Sequence, residues 1–520
     1  MRSLLIAILT ISTVALSAQW GGPEGVQLNI EGSYGGYTMF ENFDATYLVD
    51  NCGEIVNEWQ VTNSDLHTKL LPDGQLVYIQ NNRVYVRDWE DNIVEIIQAS
   101  DDDIVLVYEV IELENKNFLC LAREIFSDQD FDDIGYEFES FESASRIDAV
   151  VELDRASGDV VWRWNLSDHV IQERDPSAPN FGVVKDNPQL LDMDAVLSFD
   201  WTFQESFMIN GMDYNPDLDQ IVLSIRKMNE IAIIDHSTTT AEAAGSTGGN
   251  SGMGGDILYR WGNPQNYGYG DESDHLSFYQ HNPNWILHGE HAGSIIYFNN
   301  GLDRPQGNYS EALIINTPVT ADGSYFREEG KAFGPEVPAE TYSNQTTNIS
   351  NLFSEYTSGA KVLPNGNIFI TEGDDAIFRE LTPDGLVVWE YAVPFTGYIF
   401  RGVRYGEDYP AFNGRDLTPG QTVEQPSSDY DCSLLVSTDE LTLSPLEIRL
   451  FRDRVEIINP EYLSYHAEII TLNGQAIQAF GSDQLHETVK LNAKQPGLYI
   501  LHIRERDTGE LVETKKFVLD

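Results

Sequence analysis

The 520-residue chain is poor in cysteine and in positive charge. Only Cys52, Cys120 and Cys432 are present, so at most one intrachain disulfide can form, one thiol is left over, and zinc-type cysteine spacing is excluded. Cys120 stands in Phe118-Leu119-Cys120-Leu121-Ala122, where a small buried hydrophobe is expected and not a nucleophile. Lys and Arg number 31 against 84 Asp and Glu, a net charge of −53. Repulsion on that scale excludes nucleic acid and anionic membrane surfaces as partners. No acidic block is long enough to form a tail, so the acidity reads as a solvated surface suited to a salty exterior. Long apolar runs are missing too. The run from Leu4 to Leu16 falls short of the roughly 20 residues that span a bilayer. With Arg2 before it and Ser17-Ala18-Gln19 after it, residues 1–18 have the pattern of a secretory signal peptide. No membrane span is expected in the mature chain.

What is present is 41% hydrophobic and 11% aromatic residues, enough for large cores in a chain long enough for more than one domain. Tyr47 to Trp59 reads as strand, tight turn, strand, because β-branched and aromatic residues flank Asn51-Cys52-Gly53. The same unit recurs at Val150 to Trp164 and Phe378 to Tyr391. It recurs again at Ile231 to Asp235 joined to Asp256 to Trp261, with the turn expanded into a Gly/Ser/Thr-rich loop from Ser237 to Gly255. A second hairpin precedes several of these units, at Leu70-Leu71-Pro72-Asp73-Gly74, Ile111 to Phe118 and Leu363-Pro364-Asn365-Gly366. Weaker copies of this second hairpin are read at Val84 to Ile97 and Ala312 to Phe326. Two hairpins make a four-stranded sheet, and about six such sheets with a Trp near the last strand predict an all-β, six-bladed β-propeller over residues 19–422. Trp59, Trp164, Trp261 and Trp389 are expected in its core.

Residues 423–441 have linker composition, rich in Pro, Ser and Asp. From 442 to 520 short alternating strands predict a small antiparallel β-sandwich. That tail resembles the C-terminal sorting domain of the type IX secretion system of Bacteroidetes-like bacteria, chiefly in Ala467 to Gln475 and Gln495 to Ile503. The resemblance implies an export address, the type IX machinery as a partner, and a secreted or cell-surface location in a Gram-negative bacterium.

The propeller half carries Asp200-Trp201-Thr202, Asn210 to Pro216, Asp219 to Arg226, Ile233 to Ser237, Leu258 to Pro264, Gln280-His281, Ser358 to Asn367 and Phe400 to Tyr405. In this order, over about residues 40 to 420, these segments resemble the bacterial arylsulfate sulfotransferases. The resemblance implies a six-bladed propeller that moves a sulfuryl group from an aryl sulfate donor to a phenolic acceptor through a sulfohistidine. It implies neither a nucleotide sulfate donor, nor another cofactor, nor a metal.

Such chemistry needs a neutral imidazole to attack sulfur, fixed positive charge on the sulfate oxygens and a proton for the departing phenolate. His281 matches the family's nucleophile. Arg226 matches its sulfate-binding arginine, whose planar fork donates two hydrogen bonds to an oxyanion. Asn210 matches the Asn of its His-x-Asn pair and is expected to donate its amide to sulfate. The chain departs from the family at Met208, where the family has His, with 203–207 read as a local insertion. It departs again at Tyr108-Glu109, where the family has His before an acidic residue. Tyr108 can act as a phenolic acid, whereas a thioether donates nothing. Two readings follow: a sulfuryl transferase using His281, Arg226, Asn210 and Tyr108, or a non-catalytic propeller that binds sulfated or anionic ligands.

Among the other candidates, His236 is expected to cap a strand or lie on the surface. His288 and His291 have no third ligand at recognisable spacing, which argues against a metal. His67 is a candidate for the central channel. Arg401 and Arg404 are expected on one face of a strand, as solvent-facing charges first and as a supplement to the anion site second.

Overall fold

The computed structural model describes residues 24–42, 45–61, 67–135, 145–197, 207–320, 322–349, 351–394 and 398–423. Beyond these it describes 447–450, 454–458, 464–471, 476–482, 486–491, 497–506 and 511–519. The leader at 1–18, the linker at 424–441 with Cys432, the segment Asp200-Trp201-Thr202 and most of the expected insertion, 203–206, lie outside the described residues. The chain divides into two compact units, Met1–Val436 and Ser437–Asp520.

In the first unit, tight turns break β-branched and aromatic runs into short antiparallel strands. Asp50 Oδ1 accepts from the backbone N–H groups of Cys52 and Glu54 at 2.8 and 2.9 Å, and Asp154 closes its turn in the same way on Ala156 and Ser157. These Asx turns fix hairpin register. Six sheets result. Blade 1 pairs Val403–Gly406 with Gly36–Glu41, followed by Thr46–Val49 and Ile55–Trp59. Blade 2 is Thr68–Leu70, Leu76–Gln80, Arg83–Arg87 and Ile93–Gln98; blade 3 is Ile104–Glu112, Phe118–Phe126, Ser145–Leu153 and Val160–Asn165. Blade 4 is Ile209–Asn215, Gln220–Ile225, Glu230–Asp235 and Tyr259–Trp261; blade 5 is His281–Trp285, Ile295–Asn299, Glu311–Ile315 and Glu340–Tyr342. Blade 6 is Gly359–Val362, Ile368–Glu372, Ile377–Leu381 and Val387–Ala392, with Gly25–Asn29 added at its outer edge.

Packing between blades closes these sheets into a ring. Separate apolar clusters lie between successive blades. Leu48 packs with Leu76 between blades 1 and 2, Val77 with Val110 between blades 2 and 3, and Leu121 with Leu223 between blades 3 and 4. Ile233 packs with Ile295 between blades 4 and 5, and Ile296 with Ile370 between blades 5 and 6. The last cluster sets Phe40 and Val49 of blade 1 against Phe378, Trp389 and Tyr391 of blade 6, so the ring has no open side. Burial on both faces explains why Gln220–Ile225, Glu230–Asp235 and Ile377–Leu381 are buried at every position.

The four tryptophans are buried and each bridges to the next blade. Trp59 Nε1 donates to the Asp88 carbonyl at 3.0 Å, Trp164 to Gly255 at 2.8 Å, Trp261 to Pro335 at 2.8 Å and Trp389 to Asn51 at 2.9 Å. A buried indole N–H needs such an acceptor. In blade 5 the Tyr342 hydroxyl takes this part, donating to the Pro383 carbonyl at 3.1 Å.

Two hairpin readings need correction. Val84 to Ile97 is the outer hairpin of blade 2, not a copy of the inner one. Ala312 to Phe326 is no hairpin: Glu311–Ile315 pairs with Glu340–Tyr342. Thr320 and Ser324 close a local turn there, which leaves Val319 and Tyr325 as an isolated bridge.

The second unit has a three-stranded and a four-stranded antiparallel sheet, with Val455, Ile457, Tyr465, Ile469, Leu501 and Ile503 buried in its core. Its strand Ala476–Phe480 forms one edge of the four-stranded sheet, beside Tyr465–Thr471. No helix among the described residues is long and apolar enough to cross a membrane.

Candidate functional site

Three inner strands break register where they carry a candidate residue. In blade 3, Leu106 pairs with Ala122 and Val110 with Cys120, and Tyr108 sits in the irregularity at φ 54°. In blade 4, Ile209 pairs with Ile225 and Gly211 with Ser224, which leaves Asn210 as the extra residue. In blade 5, His281 pairs with Phe298 and Asn284 with Ile296, with Asn282 at φ 52°. A bulge re-aims side chains that a regular strand would send elsewhere. A Cβ on Gly359 would lie 2.6 Å from Asn282 Oδ1, so glycine lets the blade 6 strand pass beside the blade 5 bulge.

His281 is buried, with Nδ1 2.7 Å from Asn300 Oδ1. The Asn300 amide nitrogen donates to the carbonyls of Ser354, Thr357 and Tyr356 at 2.8, 2.9 and 3.0 Å. That anchoring turns Oδ1 toward the imidazole, so Nδ1 carries the ring proton and Nε2 keeps its lone pair. Burial, reinforced by the Arg226 charge, pulls the His281 pKa down to about 3 against the opposing hydrogen bond from Asn300. The strand leading into His281 is pinned through Gln280. Its carbonyl accepts from Asn210 Nδ2 at 2.8 Å and Ser224 Oγ at 3.1 Å, while its side-chain amide donates to the Glu230 carbonyl at 2.8 Å.

Arg226 opens the turn after the second strand of blade 4. Its guanidinium lies 4.7 Å from the Tyr279 ring centre and 6.0 Å from that of Tyr356, and its Nη1 is 3.8 Å from Met208 Sδ. Phe400 stands edge-on to His281 at 6.3 Å and stacks on Tyr108, also at 6.3 Å. The Tyr108 hydroxyl accepts from Arg123 Nη2 at 2.8 Å. The structure thus gathers His281, Arg226 and Asn210 at one end of the channel and places Tyr108 across the Phe400 ring. The amide of Asn210, expected on sulfate, donates instead to the Gln280 carbonyl, so Asn210 positions the His281 strand.

Next to these residues is a charged cluster that sequence reasoning misses. Glu109 is fully buried; it pairs with Lys69 Nζ at 2.6 Å and with Arg401 Nη2, and His67 Nε2 is 3.5 Å away. Burial alone would raise the Glu109 pKa, but Arg401, Lys69 and His67 outweigh it and hold the carboxyl at about 2. Burial and Arg401 keep His67 well below the usual imidazole range. A counting rule would have brought two of its members, His67 and Glu109, together. The N–H groups of Leu71, Leu113 and Leu363 bond to the carbonyls of Gln75, Asn117 and Asn367, so these leucines are equivalent, and four residues before each stand His67, Glu109 and Gly359.

Arg401 and Arg404 do not share a face, because residues three apart on a strand point to opposite sides. Arg401 reaches Glu109, whereas Arg404 donates to Thr38 Oγ1 and Asn51 Oδ1, each at 2.8 Å, beneath Trp389. His236 is not a surface cap. It lies between Asp219 at 2.7 Å and Glu152 at 3.2 Å, edge-on to Trp162. Burial alone would lower its pKa, but the two carboxylates raise it to about 9. His288 and His291 line the channel cavity, and no group of three or more metal-ligating side chains occurs among the described residues. Cys52 is disulfide-bonded. Cys120 is a free buried thiol whose pKa burial pushes up.

The family profile described as Arylsulfotransferase (ASST) matches residues 28–392. A search of curated proteins found no match. Among solved structures, a protein of unknown function from Bacteroides caccae is 10% identical over 72% of this chain and 100% of its own, with a TM-score of 0.40. The β-propeller domain of Myceliophteria thermophila Cps50 (Swd1) is 10% identical over 75% of this chain and 98% of its own, with a TM-score of 0.37.

Proposed function

The chain belongs to the arylsulfotransferase family, and from that premise we propose that it transfers a sulfuryl group between phenols through a sulfohistidine on His281. The observation that carries this reading is the Asn300 contact, which leaves Nε2 of a neutral, buried imidazole as the nucleophile. Nε2 attacks sulfur, the N–S bond forms, and the S–O bond to the aryl group breaks with its electron pair leaving on the phenolate. Arg226 holds the sulfate oxygens by charge-assisted hydrogen bonds. Tyr279, Tyr356 and Phe400 supply aromatic walls for the aryl group. The Tyr108 oxygen, which accepts from Arg123, still carries its own proton for the departing phenolate. A phenolic acceptor then gives its proton to the Tyr108 oxygen and attacks sulfur, the N–S bond breaks with its electron pair returning to Nε2, and the imidazole and the Tyr108 phenol are restored. No nucleotide sulfate donor takes part. The same reading takes residues 1–18 as an export signal, 19–422 as the catalytic propeller and 442–520 as a type IX sorting domain of an exported or surface-bound protein.

Met208 favours a second reading. Its thioether stands 3.8 Å from Arg226 Nη1 where the family resemblance calls for a histidine, and a propeller lacking that donor would bind sulfated ligands without turnover. One experiment separates the two. Incubation with an aryl sulfate should release the phenol and leave an acid-labile sulfuryl mass on the peptide containing His281, with both signals lost in His281→Ala. Binding without either signal in the wild type would leave the binding propeller as the correct reading.

A further inference from the structure

Past the Glu109 cluster, the inner strands enclose a cavity of about 910 Å³. Its lining runs from Asn282 and Gly359, near the N-terminal ends of those strands, to Leu70, Trp285 and Leu363 toward their C-terminal ends, and includes none of His281, Arg226, Asn210 and Tyr108. It is therefore a separate chamber from the one that holds the candidate nucleophile. Its size matches pockets that hold small organic molecules and exceeds what a bare ion needs.

Three donors on its wall have no acceptor. Lys361 is enclosed by the channel yet exposed to the cavity, and no hydrogen bond or ion pair of its ammonium occurs among the described residues. Arg401 uses Nε and Nη2 on His67 and Glu109, leaving Nη1 buried without a partner. The Trp285 indole N–H is likewise buried and unpartnered. Of the acidic groups on its wall, Glu109 is paired with Lys69 and Arg401, Glu112 with Lys116 and Arg155, and Asp213 accepts from the Trp285 backbone N–H at 2.9 Å, while Glu290 and Asp408 stand without an ion pair among the described residues. The Arg401 and Trp285 nitrogens have no surface open to the cavity, so the Lys361 ammonium is the donor that an oxyanion there would meet.

We propose that this cavity is a second binding site for a small amphiphilic oxyanion, with its head group on Lys361 and its apolar body against the partly exposed lining residues Ile111, Leu287, Val362 and Val403. The inference does not depend on the sulfuryl-transfer reading. Aryl sulfate turnover is assigned to the chamber that holds the candidate nucleophile.

Calorimetric titration of the full chain with phenylacetate and hexyl sulfate tests it, and the tighter of the two identifies the head group as carboxylate or sulfate. At least one should bind, and 2-phenylethanol and inorganic sulfate, which lack the head or the body, should bind at least about tenfold more weakly. Lys361→Met should weaken binding at least about tenfold, Lys361→Arg should restore it, and His281→Ala should leave it unchanged. If Lys361→Met does not fold, Lys361→Gln, which keeps a polar side chain without the charge, should weaken binding by as much. The proposal is overturned if neither anion binds at millimolar concentration, if 2-phenylethanol binds as tightly, or if binding survives loss of the Lys361 charge.

Discussion

Asn300 fixes the tautomer of His281. Its Oδ1 stands 2.7 Å from Nδ1 while its amide nitrogen is held by three backbone carbonyls, so it cannot flip to offer a donor. The nucleophilic nitrogen is thereby chosen by a residue 19 positions away on the end of the neighbouring strand.

Asn300→Ala should slow phenol release by about 10- to 100-fold, the effect of losing one buried orienting hydrogen bond of about 1–3 kcal/mol. Asn300→Asp keeps the acceptor and adds negative charge at Nδ1. In that variant the acid limb of the rate profile should move toward neutral pH. Stopped-flow measurement of the phenol burst reads both.

The pH profile of the wild type follows from His281. With its pKa pulled down to about 3 by burial and Arg226, the imidazole is neutral across the working range. Sulfuryl uptake should show no histidine limb between about pH 5 and about pH 8. A limb near the ordinary imidazole value would contradict the buried, Arg226-facing placement.

Met208→His should raise the rate of phenol release, because it restores a donor beside Arg226 where a thioether now stands. An increase of about tenfold corresponds to roughly 1.4 kcal/mol of transition-state stabilisation. An unchanged rate would mean that Met208 is not the defect.

Two buried ion-pair sites bound the pH range of stability. The Glu109 carboxyl is depressed to about 2 from an ordinary value of 4.5, so its contribution is present above the ordinary value and is lost as pH falls toward 2. His236 is raised to about 9 from 6.5, so its contribution is complete below 6.5 and is lost as pH rises through 9. The melting temperature should therefore be highest between these limits. His236→Gln should flatten the alkaline limb and Glu109→Gln the acidic one, as read by melting temperature against pH.

The all-β class, the six repeated sheets and the Trp-bearing outer hairpins were legible in the chain because they rest on local physics. β-branched runs, Asx and Gly turns, and in every blade but the second an aromatic on the last strand recur along the chain, and each operates within a few residues. The hairpin that failed, Ala312 to Phe326, did so because the true partner Glu340–Tyr342 lies beyond a long excursion that no local signal announces. His281 and Arg226 were picked out by family resemblance.

Everything that makes those two residues a site was decided by the tertiary structure. The Asn300 contact joins two neighbouring strands of blade 5, while the Phe400 ring between His281 and Tyr108 and the Glu109 cluster join segments from different blades. The sequence by itself determined which segments become strands and where they turn, since backbone preference and hydrophobic pattern are local. Only closure of the ring determined which side chains meet in the channel, because burial and charge at that centre depend on all six inner strands at once.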